Sequence, residues 1–365
     1  MHKVSNIGSV VQAYALQHKI KQLGLDSEII DYDYPYPKEK NISLYTILNN
    51  IVIFFQNFVW GFPNKKRERR MTLFREKYLI CSNVSYDRES IKKKPPEYDI
   101  YCTGSDQVWN PYYIGDDTNF MLSFVPEDKP KISYAASFAT NDMPDYLVEL
   151  YSNCLKEYDS ITVREQAGVD LVNRMVGKDA KVVCDPTLLL SREEWDEFAE
   201  LSELHLKEDY ILVYILGYMY NPRPNIYNII SVVQKALGCK VYYINGNKSE
   251  FFMPHSKIIK GVGPMEFVDL FKHASFVITD SFHGTAFSTI YNIPMMSVVN
   301  TDSKDGRMST LRNSVGGSKS IVPYNGSIVV SKENLSDFQA DPQKVANLSD
   351  SSILTLKEML ENVKQ

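Results

Sequence analysis

The chain has 365 residues, 44% of them hydrophobic and 12% aromatic. This length exceeds one ordinary core and predicts two domains of similar size. The formal net charge of −5 gives no overall electrostatic case for a nucleic-acid partner. The five cysteines are scattered, none stands in a CxxC pair, and we recognise no signal peptide. We therefore expect a cytoplasmic protein without a structural metal site.

Helical and strand patterns alternate along the first half of the chain. A helix is predicted over residues 8–23, stopped by Gly24, and a strand over 27–32. The further predicted strands are 98–102, 131–137, 160–163 and 181–184, and the further predicted helices are 142–158, 165–175 and 191–204.

The second half repeats the same alternation. Its predicted strands are 210–216, 240–244, 276–279 and 295–299, and its predicted helices are 225–237, 264–272 and one after Gly284. Strands alternating with helices predict the α/β class, with two Rossmann-like domains whose parallel sheets face each other across a cleft. Such a domain normally opens with an apolar strand, yet only six residues precede the first turn. Either the first strand of the N-terminal domain is missing, or the fold does without it.

We predict the following domain boundaries. An N-terminal domain covers residues 1–200 with an insertion at 42–77, a C-terminal domain covers 205–325, and a helical tail covers 326–365. Within the insertion, residues 42–60 are largely apolar and a basic run follows at 65–70. This pattern fits an interfacial helix that touches the cytoplasmic face of a membrane through residues 42–70. It fits better a buried helix followed by a solvated basic helix.

The most informative motif surrounds His283. An apolar strand ends before Ser281, and a helix begins beside Gly284. Ligands bind at this edge of open α/β sheets, and helix N-terminal amides favour anions. A histidine there indicates acid–base chemistry on a phosphate or carboxylate substrate.

A polar loop follows the predicted strand at 98–102. Gly104 permits close backbone approach, while Asp106, Gln107 and Asn110 can bind sugar hydroxyls and Trp109 can stack on a sugar face. A plain turn with a packing tryptophan is the alternative, and the density of polar groups favours the site.

Charged residues end two more predicted strands. Arg164 can clamp a carboxylate or phosphate, or it can pair with Glu165 or Asp185. Asp185, before a proline, fits a turn residue as well as a ligand. Arg307 and Arg312 are candidates for the cleft, although solvated surface charge is the better interpretation.

These motifs, in order, resemble the polysaccharide pyruvyl transferase family. They are Asn6-x-Gly8-Ser9 with the following Gln12-Ala13-Tyr14-Ala15-Leu16-Gln17, then Gly104-Ser105-Asp106-Gln107-Val108-Trp109-Asn110, Val163-Arg164-Glu165, Asp185-Pro186-Thr187 and Asp280-Ser281-Phe282-His283-Gly284. The resemblance implies an architecture like that of the GT-B glycosyltransferases. It also implies transfer of a pyruvyl group from phosphoenolpyruvate to a sugar diol. The acceptor would be a bacterial surface polysaccharide or its lipid-linked precursor.

The resemblance also implies roles for the motif residues. His283 would be the general acid, and Asp106 would bind or deprotonate the acceptor hydroxyl. No cofactor is expected, since phosphoenolpyruvate is the donor substrate. The donor-binding residues would be Arg164, Ser281 and the amides of Gly284 and Thr285, and the acceptor-binding residues Asn6, Gly8, Ser105, Gln107, Trp109 and Asn110.

One departure from the family pattern affects the donor site. Some members carry an arginine two residues before the histidine, where this chain has Ser281. Either another cation, from Arg164, Arg307 or Arg312, would then hold the donor, or the site would bind something else. Two alternatives remain, a GT-B glycosyltransferase that uses a nucleotide-sugar donor and a non-catalytic protein that binds glycan precursors.

Overall fold

The computed structural model describes residues 2–34, 63–217, 220–223, 225–244, 254–300 and 304–363. Its strands are β1 (Ile29–Tyr32), β2 (Cys81–Tyr86), β3 (Tyr101–Thr103), β4 (Lys131–Ala136), β5 (Ser160–Val163), β6 (Lys181–Val182), β7 (Tyr210–Tyr214), β8 (Lys240–Ile244), β9 (Ser256–Ile259), β10 (Phe276–Thr279), β11 (Met295–Val299) and β12 (Ile321–Pro323). Its α-helices are α1 (Ile7–Gln22), α2 (Pro63–Tyr78), α3 (Ser90–Lys93), α4 (Pro111–Ile114), α5 (Asp145–Lys156), α6 (Gln166–Val176), α7 (Arg192–Glu200), α8 (Ile226–Leu237), α9 (Pro264–Lys272), α10 (Phe282–Ile290), α11 (Arg307–Val315) and α12 (Pro342–Asn362). Short 3-10 helices lie at Thr118–Met121, Pro186–Leu189, Ser318–Ser320 and Lys332–Phe338.

The C-terminal half is built on a six-stranded parallel sheet in the order β12-β11-β10-β7-β8-β9. Counted from β7, this is the doubly wound order 3-2-1-4-5-6. The strand order reverses between β7 and β10, so a crevice opens at their carboxyl ends. Ligands bind at such a crevice in open α/β sheets. His283 follows β10 directly.

The N-terminal half contains two separate parallel sheets. One pairs β1 with β2, and the other has the order β3-β4-β5-β6. Among the described residues, no strand precedes α1. The α/β class with parallel sheets in both halves is thus confirmed.

Helices α1 and α12 pack against residues of both halves. Val10 and Val11 of α1 share a buried core with Trp195 and with Tyr210 and Phe267 of the C-terminal half. Leu356 and Met359 of α12 lie in another core with Phe282 and with residues of β4. This burial holds the amino end of α1 opposite the β10–α10 turn.

Apolar patterning located the well-buried elements better than the exposed ones. The strands Ser160–Val163, Lys240–Ile244, Phe276–Thr279 and Met295–Val299 have the predicted bounds. Strands β2, β9 and β12 were not predicted. In β2 only Tyr86 is buried, and in β9 only Ile259. Their sequences therefore show little of the hydrophobic run that marks a buried strand.

The basic insertion is helical from Pro63, but it is not simply a solvated helix. Met71 and Phe74 are buried in the core shared with α1 and α9. The apolar run at 42–60 lies outside the described residues, so its membrane contact stays a prediction. No helix in the part of the chain that the structure describes is long and apolar enough to cross a bilayer.

Candidate active site

The turn between β10 and α10 fixes His283 in the first turn of the helix. Ser281 caps α10 in extended backbone conformation, and its hydroxyl accepts the Gly284 amide at 3.4 Å. The Thr285 amide donates to the Ser281 carbonyl at 3.0 Å. A Cβ on Gly284 would lie 2.4 Å from the Thr279 hydroxyl, so glycine lets α10 approach β10 closely. The amides of Gly284 and Thr285 therefore already have acceptors within α10, and their assignment as the donor's anion cradle stays a prediction.

The amino end of α1 forms the opposite wall. The Asn6 side chain caps this helix by accepting the Gly8 amide at 2.9 Å. A Cβ at Gly8 would lie 2.1 Å from Nδ1 of His283, so only glycine leaves room for the imidazole. His283 is 6% exposed and lies between elements of the two halves. The motif around Gly8 and the motif around His283 thus contact each other only because the tertiary structure brings them together.

Asp106 adopts an unusual backbone conformation at the end of β3. Its φ is 82°, in the left-handed region that is uncommon outside glycine. Its carboxylate accepts the Ser9 hydroxyl and, at 2.8 Å, the Gln107 amide. Burial alone would raise the pKa of Asp106. The charges of Arg164 and His283 and the Ser9 hydrogen bond outweigh burial and lower the pKa to about 2. Asp106 is therefore ionised at neutral pH.

Asp185 links three other groups of the site. Its carboxylate accepts Nη1 of Arg164 at 2.7 Å and the Ser105 hydroxyl at 3.0 Å, and Oδ2 lies 3.8 Å from Nε2 of His283. Burial would raise the pKa of Asp185, but the charges of His283 and Arg164 lower it overall. The sequence left Asp185 open between a turn residue and a ligand. The structure shows the turn role, because Asp185 caps the short helix after it by accepting the Thr187 amide.

Several buried donors of the site lack a partner. Nε and Nη2 of Arg164 and Nε2 of His283 make no hydrogen bond within the described chain. Nη2 of Arg164 lies 3.8 Å from the Asp106 carboxylate, and the guanidinium carbon lies 4.2 Å from the centre of the Phe282 ring. Burial lowers the pKa of His283, and the carboxylates of Asp185 and Asp106 oppose this only in part. Unpaired buried donors call for an explanation, and a ligand oxygen would supply one.

A cleft between the two halves gives access to this cluster. Among the residues that line it are Asn6, Asp106, Gln107, Asp280, Ser281, His283 and Arg307. Arg307 is 7% exposed and is held in place by Asp305, with Nε–Oδ1 at 2.8 Å. Of the proposed replacements for the missing arginine, Arg307 lines the cleft and Arg164 lies in the cluster behind it.

The structure places four predicted residues away from ligand contact. Trp109 is fully buried between Phe138 and Tyr158, so it cannot stack on a sugar. Asn110 is 2% exposed and caps α4. Ser105 contacts Asp185 rather than the cleft. Arg312 is fully buried and donates to Thr289 and to backbone carbonyls. The alternative of a turn with a packing tryptophan fits Trp109 and Asn110, and neither cleft nor solvated surface describes Arg312.

Two contributors were missed. Ser9, which holds Asp106, stands inside the Asn6–Ser9 motif, and its position there was the available signal. Asp280 accepts the amides of Leu216 and Gly217 at 2.6 and 2.8 Å, so it fixes the loop after β7 at the edge of the cleft. No local pattern in the sequence pairs Asp280 with that loop. Within the described ranges, no cluster of three or more histidine, cysteine, aspartate or glutamate residues is placed to hold a metal ion.

Solved structures with the same fold are similar to this chain over 80–97% of its length. A UDP-N-acetylglucosamine 2-epimerase from Neisseria meningitidis is 10% identical, with a TM-score of 0.52, covering 97% of this chain and 98% of that one. Another, from Methanocaldococcus jannaschii, is 13% identical with a TM-score of 0.51, covering 95% and 96%. A putative one from Listeria monocytogenes is 12% identical with a TM-score of 0.53, covering 80% and 86%. The protein thus has an α/β fold of the GT-B-like kind.

The family of the chain is a more specific assignment than its fold. The family model for polysaccharide pyruvyl transferases matches residues 6–303, which include the cleft residues Asn6, Asp106 and His283 but not Arg307. The chain belongs to the polysaccharide pyruvyl transferase family and is a transferase. No curated protein matches it significantly.

Proposed function

We propose that this protein transfers the pyruvyl group of phosphoenolpyruvate to two hydroxyls of a saccharide, forming a pyruvate ketal. The observation that carries the proposal is the convergence of motifs from both halves on one buried cluster. Within it, His283 and Arg164 keep unpaired donors next to an ionised Asp106. The family assignment narrows the chemistry to pyruvyl transfer.

The donor end of the site would use the two arginines and the histidine. The free nitrogens of Arg164 and the guanidinium of Arg307 would face the carboxylate and phosphate of phosphoenolpyruvate. His283 would give its Nε2 proton to the methylene carbon, leaving an oxocarbenium-like centre at the adjacent carbon. Burial favours neutral His283 in the free enzyme, and an anionic donor beside it would raise its pKa. Protonation and donor binding would therefore support each other.

The acceptor end would use Asp106. As a carboxylate it can accept the proton of the attacking hydroxyl, while Ser9 holds it in place. The sugar oxygen would attack the oxocarbenium-like carbon as its proton passes to Asp106, and phosphate would leave with that proton. A second hydroxyl would then close the ketal and return a proton to His283. Asn6 and Gln107 line the cleft beside Asp106 and would hold the sugar. We place this reaction in the cytoplasm, on a saccharide or lipid-linked saccharide of bacterial surface polysaccharide synthesis.

The test incubates the full chain with phosphoenolpyruvate and acceptors terminated by galactose, mannose or glucosamine. Mass spectrometry would detect the gain of one pyruvate ketal on an acceptor and the release of phosphate. His283→Gln should abolish the product, whereas His205→Gln, at a side chain 59% exposed, should not. Wild-type product from His283→Gln would refute the acid role.

A binding comparison separates the alternatives. Phosphoenolpyruvate should give a calorimetric signal that Arg164→Ala loses, while uridine diphosphate should give none. Uridine nucleotide binding alone would indicate a nucleotide-sugar enzyme instead. Saccharide binding without turnover on any acceptor would indicate a glycan-binding protein.

A further inference from the structure

Two tyrosines follow the polar loop that carries Asp106. Tyr112 and Tyr113 lie in the short helix α4, directly after Asn110, and are 63% and 42% exposed. Tyr113 also lines the cleft between the two halves, as Asp106 and Gln107 do. An aromatic residue that stays exposed within a cleft can offer its ring to a ligand.

The loop before these tyrosines is fixed by hydrogen bonds and by a buried side chain. The Ser137 amide donates to the Asp106 carbonyl at 3.0 Å, and the Trp109 amide donates to the Ser137 carbonyl at 3.1 Å. The Trp109 side chain is fully buried, and Asn110 caps α4 by accepting the Tyr112 amide at 3.0 Å. Trp109 therefore anchors the loop and sets the position of α4 relative to Asp106.

The helix α4 is held from its other end as well. Ile114 is 4% exposed and lies in the core of the N-terminal half. The Tyr34 hydroxyl donates to the Tyr113 carbonyl. Because the backbone around Tyr113 is already ordered, binding a ligand against its side chain costs little conformational entropy.

Three side chains of this segment together suit a sugar ring. A pyranose has C–H bonds on its face and hydroxyls at its rim, so it fits an aromatic ring bordered by polar groups. Tyr113 supplies the ring, and Asp106 supplies an ionised carboxylate. The Gln107 side chain accepts Nδ2 of Asn110 through Oε1 at 2.8 Å, which leaves its Nε2 group as a donor for a hydroxyl.

Two other aromatic side chains line the described part of the cleft, besides the imidazole, and both are engaged elsewhere. The Tyr220 hydroxyl donates to a backbone carbonyl at 2.7 Å, and its ring packs against Tyr324 with ring centres 5.5 Å apart. Phe282 is 5% exposed and packs against the guanidinium of Arg164. Tyr113 is therefore the aromatic residue best placed to meet a ligand beside Asp106.

We propose that Tyr113 binds the acceptor by stacking its ring on the C–H face of a pyranose, with the sugar hydroxyls directed to Asp106 and Gln107. This inference rests on the proposed pyruvyl transfer and adds the class of acceptor to it. A ring-closed sugar is favoured over an open-chain sugar alcohol with similar hydroxyls, because only the closed ring presents its C–H bonds as one face.

Steady-state kinetics tests the assignment with the acceptor that the wild type converts fastest among those terminated by galactose, mannose or glucosamine. Tyr113→Ala should raise KM for this acceptor at least about fivefold and change KM for phosphoenolpyruvate less than about twofold. Tyr113→Phe keeps the ring and should restore the wild-type KM. A phenylalanine variant as weak as the alanine variant would refute stacking.

Tyr112→Ala is the matched control. Tyr112 is the more exposed neighbour and is not among the cleft-lining residues of the described chain, so its loss should leave both KM values unchanged. Equal acceptor KM for the two alanine variants would overturn the proposal. A fall in Tm of more than about 4 °C for Tyr113→Ala alone would also overturn it, because the ring would then serve packing.

A binding assay separates failure of this assignment from failure of the proposed function. Tyr113→Trp would be titrated with methyl galactoside, methyl mannoside and N-acetylglucosamine without phosphoenolpyruvate. At least one sugar should move the tryptophan emission to shorter wavelength, whereas galactitol should not, and Tyr112→Trp should respond to none. If the wild type forms no ketal but this shift appears, pyruvyl transfer fails and the stacking site stands. Ketal formation by the wild type without any shift would refute the stacking site alone.

Discussion

Replacing Asp185 by asparagine tests the charge network beneath the cleft. The substitution keeps the shape of the side chain but removes the negative charge that faces Arg164 at 2.7 Å, at a place where both side chains are fully buried. The remaining carboxylate within ion-pair reach of Arg164 in the described chain is Asp106, at 3.8 Å. Removing one partner of a buried pair costs about 3–5 kcal/mol of folding free energy. Asparagine can still accept from Thr187, so we expect the lower end, about 3 kcal/mol.

This free energy corresponds to a fall in Tm of roughly 6–12 °C for a domain of this size. Scanning calorimetry of wild type and Asp185→Asn at neutral pH would measure it. Asp142→Asn is the matched control, because it breaks an ion pair with Lys304 at the surface and should leave Tm nearly unchanged. A fall of less than about 2 °C for Asp185→Asn would refute the assignment of Asp185 as the counter-charge of Arg164.

The pH dependence of the same variant gives a second check. The pKa of Asp185 is lower in the folded protein than its ordinary value of 3.8, so its ionised form stabilises the fold above that value. This contribution is lost as pH falls through the folded-state pKa. The Tm difference between wild type and Asp185→Asn should therefore be largest near neutral pH and shrink in acid. A difference that grows on acidification would contradict the reasoning.

Three further predictions concern the site and its support. Gly8→Ala should remove transferase activity while the chain stays folded, because the new Cβ meets the His283 ring. Gly306→Ala, whose Cβ has only one neighbour, at 4.0 Å, should retain activity, and equal activity of the two variants would refute the argument. Arg70→Met should lower Tm by several degrees, since Arg70 joins α2 to a buried glutamate of α9 at 3.1 Å. Lys66→Met, at an exposed lysine, should change Tm little, and equal shifts would argue against the bridge. If His283 is the acid, kcat/KM for phosphoenolpyruvate should fall as the pH rises and His283 loses its proton. Because burial lowers the pKa of His283 from its ordinary value of 6.5, this fall should begin below pH 6.5 in a profile measured between about pH 5 and 8. A rise to a plateau at neutral pH would make His283 a base.

The sequence predicted the elements whose signal is local. Apolar runs of four or five residues, such as Phe276–Thr279 and Met295–Val299, are strands because both faces of a parallel strand are buried. The capped helix after Ser281 and the alternation of strands and helices also depend on local sequence, and they were sufficient to predict the fold class. An exposed strand such as β2 lacks this signal, and it forms because β1 offers it an edge to pair with.

The same distinction between local and tertiary information applies to the roles of the site residues. Composition and order identified His283, Asp106 and Arg164 as chemical groups worth attention, because residue type at a strand end is a local property. Whether a side chain faces the cleft or the core depends on what packs against it from distant parts of the chain. That packing buried Trp109 between two aromatic rings and used the amides of Gly284 and Thr285 within α10.

The sequence by itself determined that the protein is an α/β enzyme with a histidine at a strand-to-helix turn, since period and residue type are written along the chain. The tertiary structure alone placed Gly8 against His283 and made Asp185 the partner of Arg164. These contacts join residues far apart in the chain, and their geometry follows from how two sheets and α1 pack together.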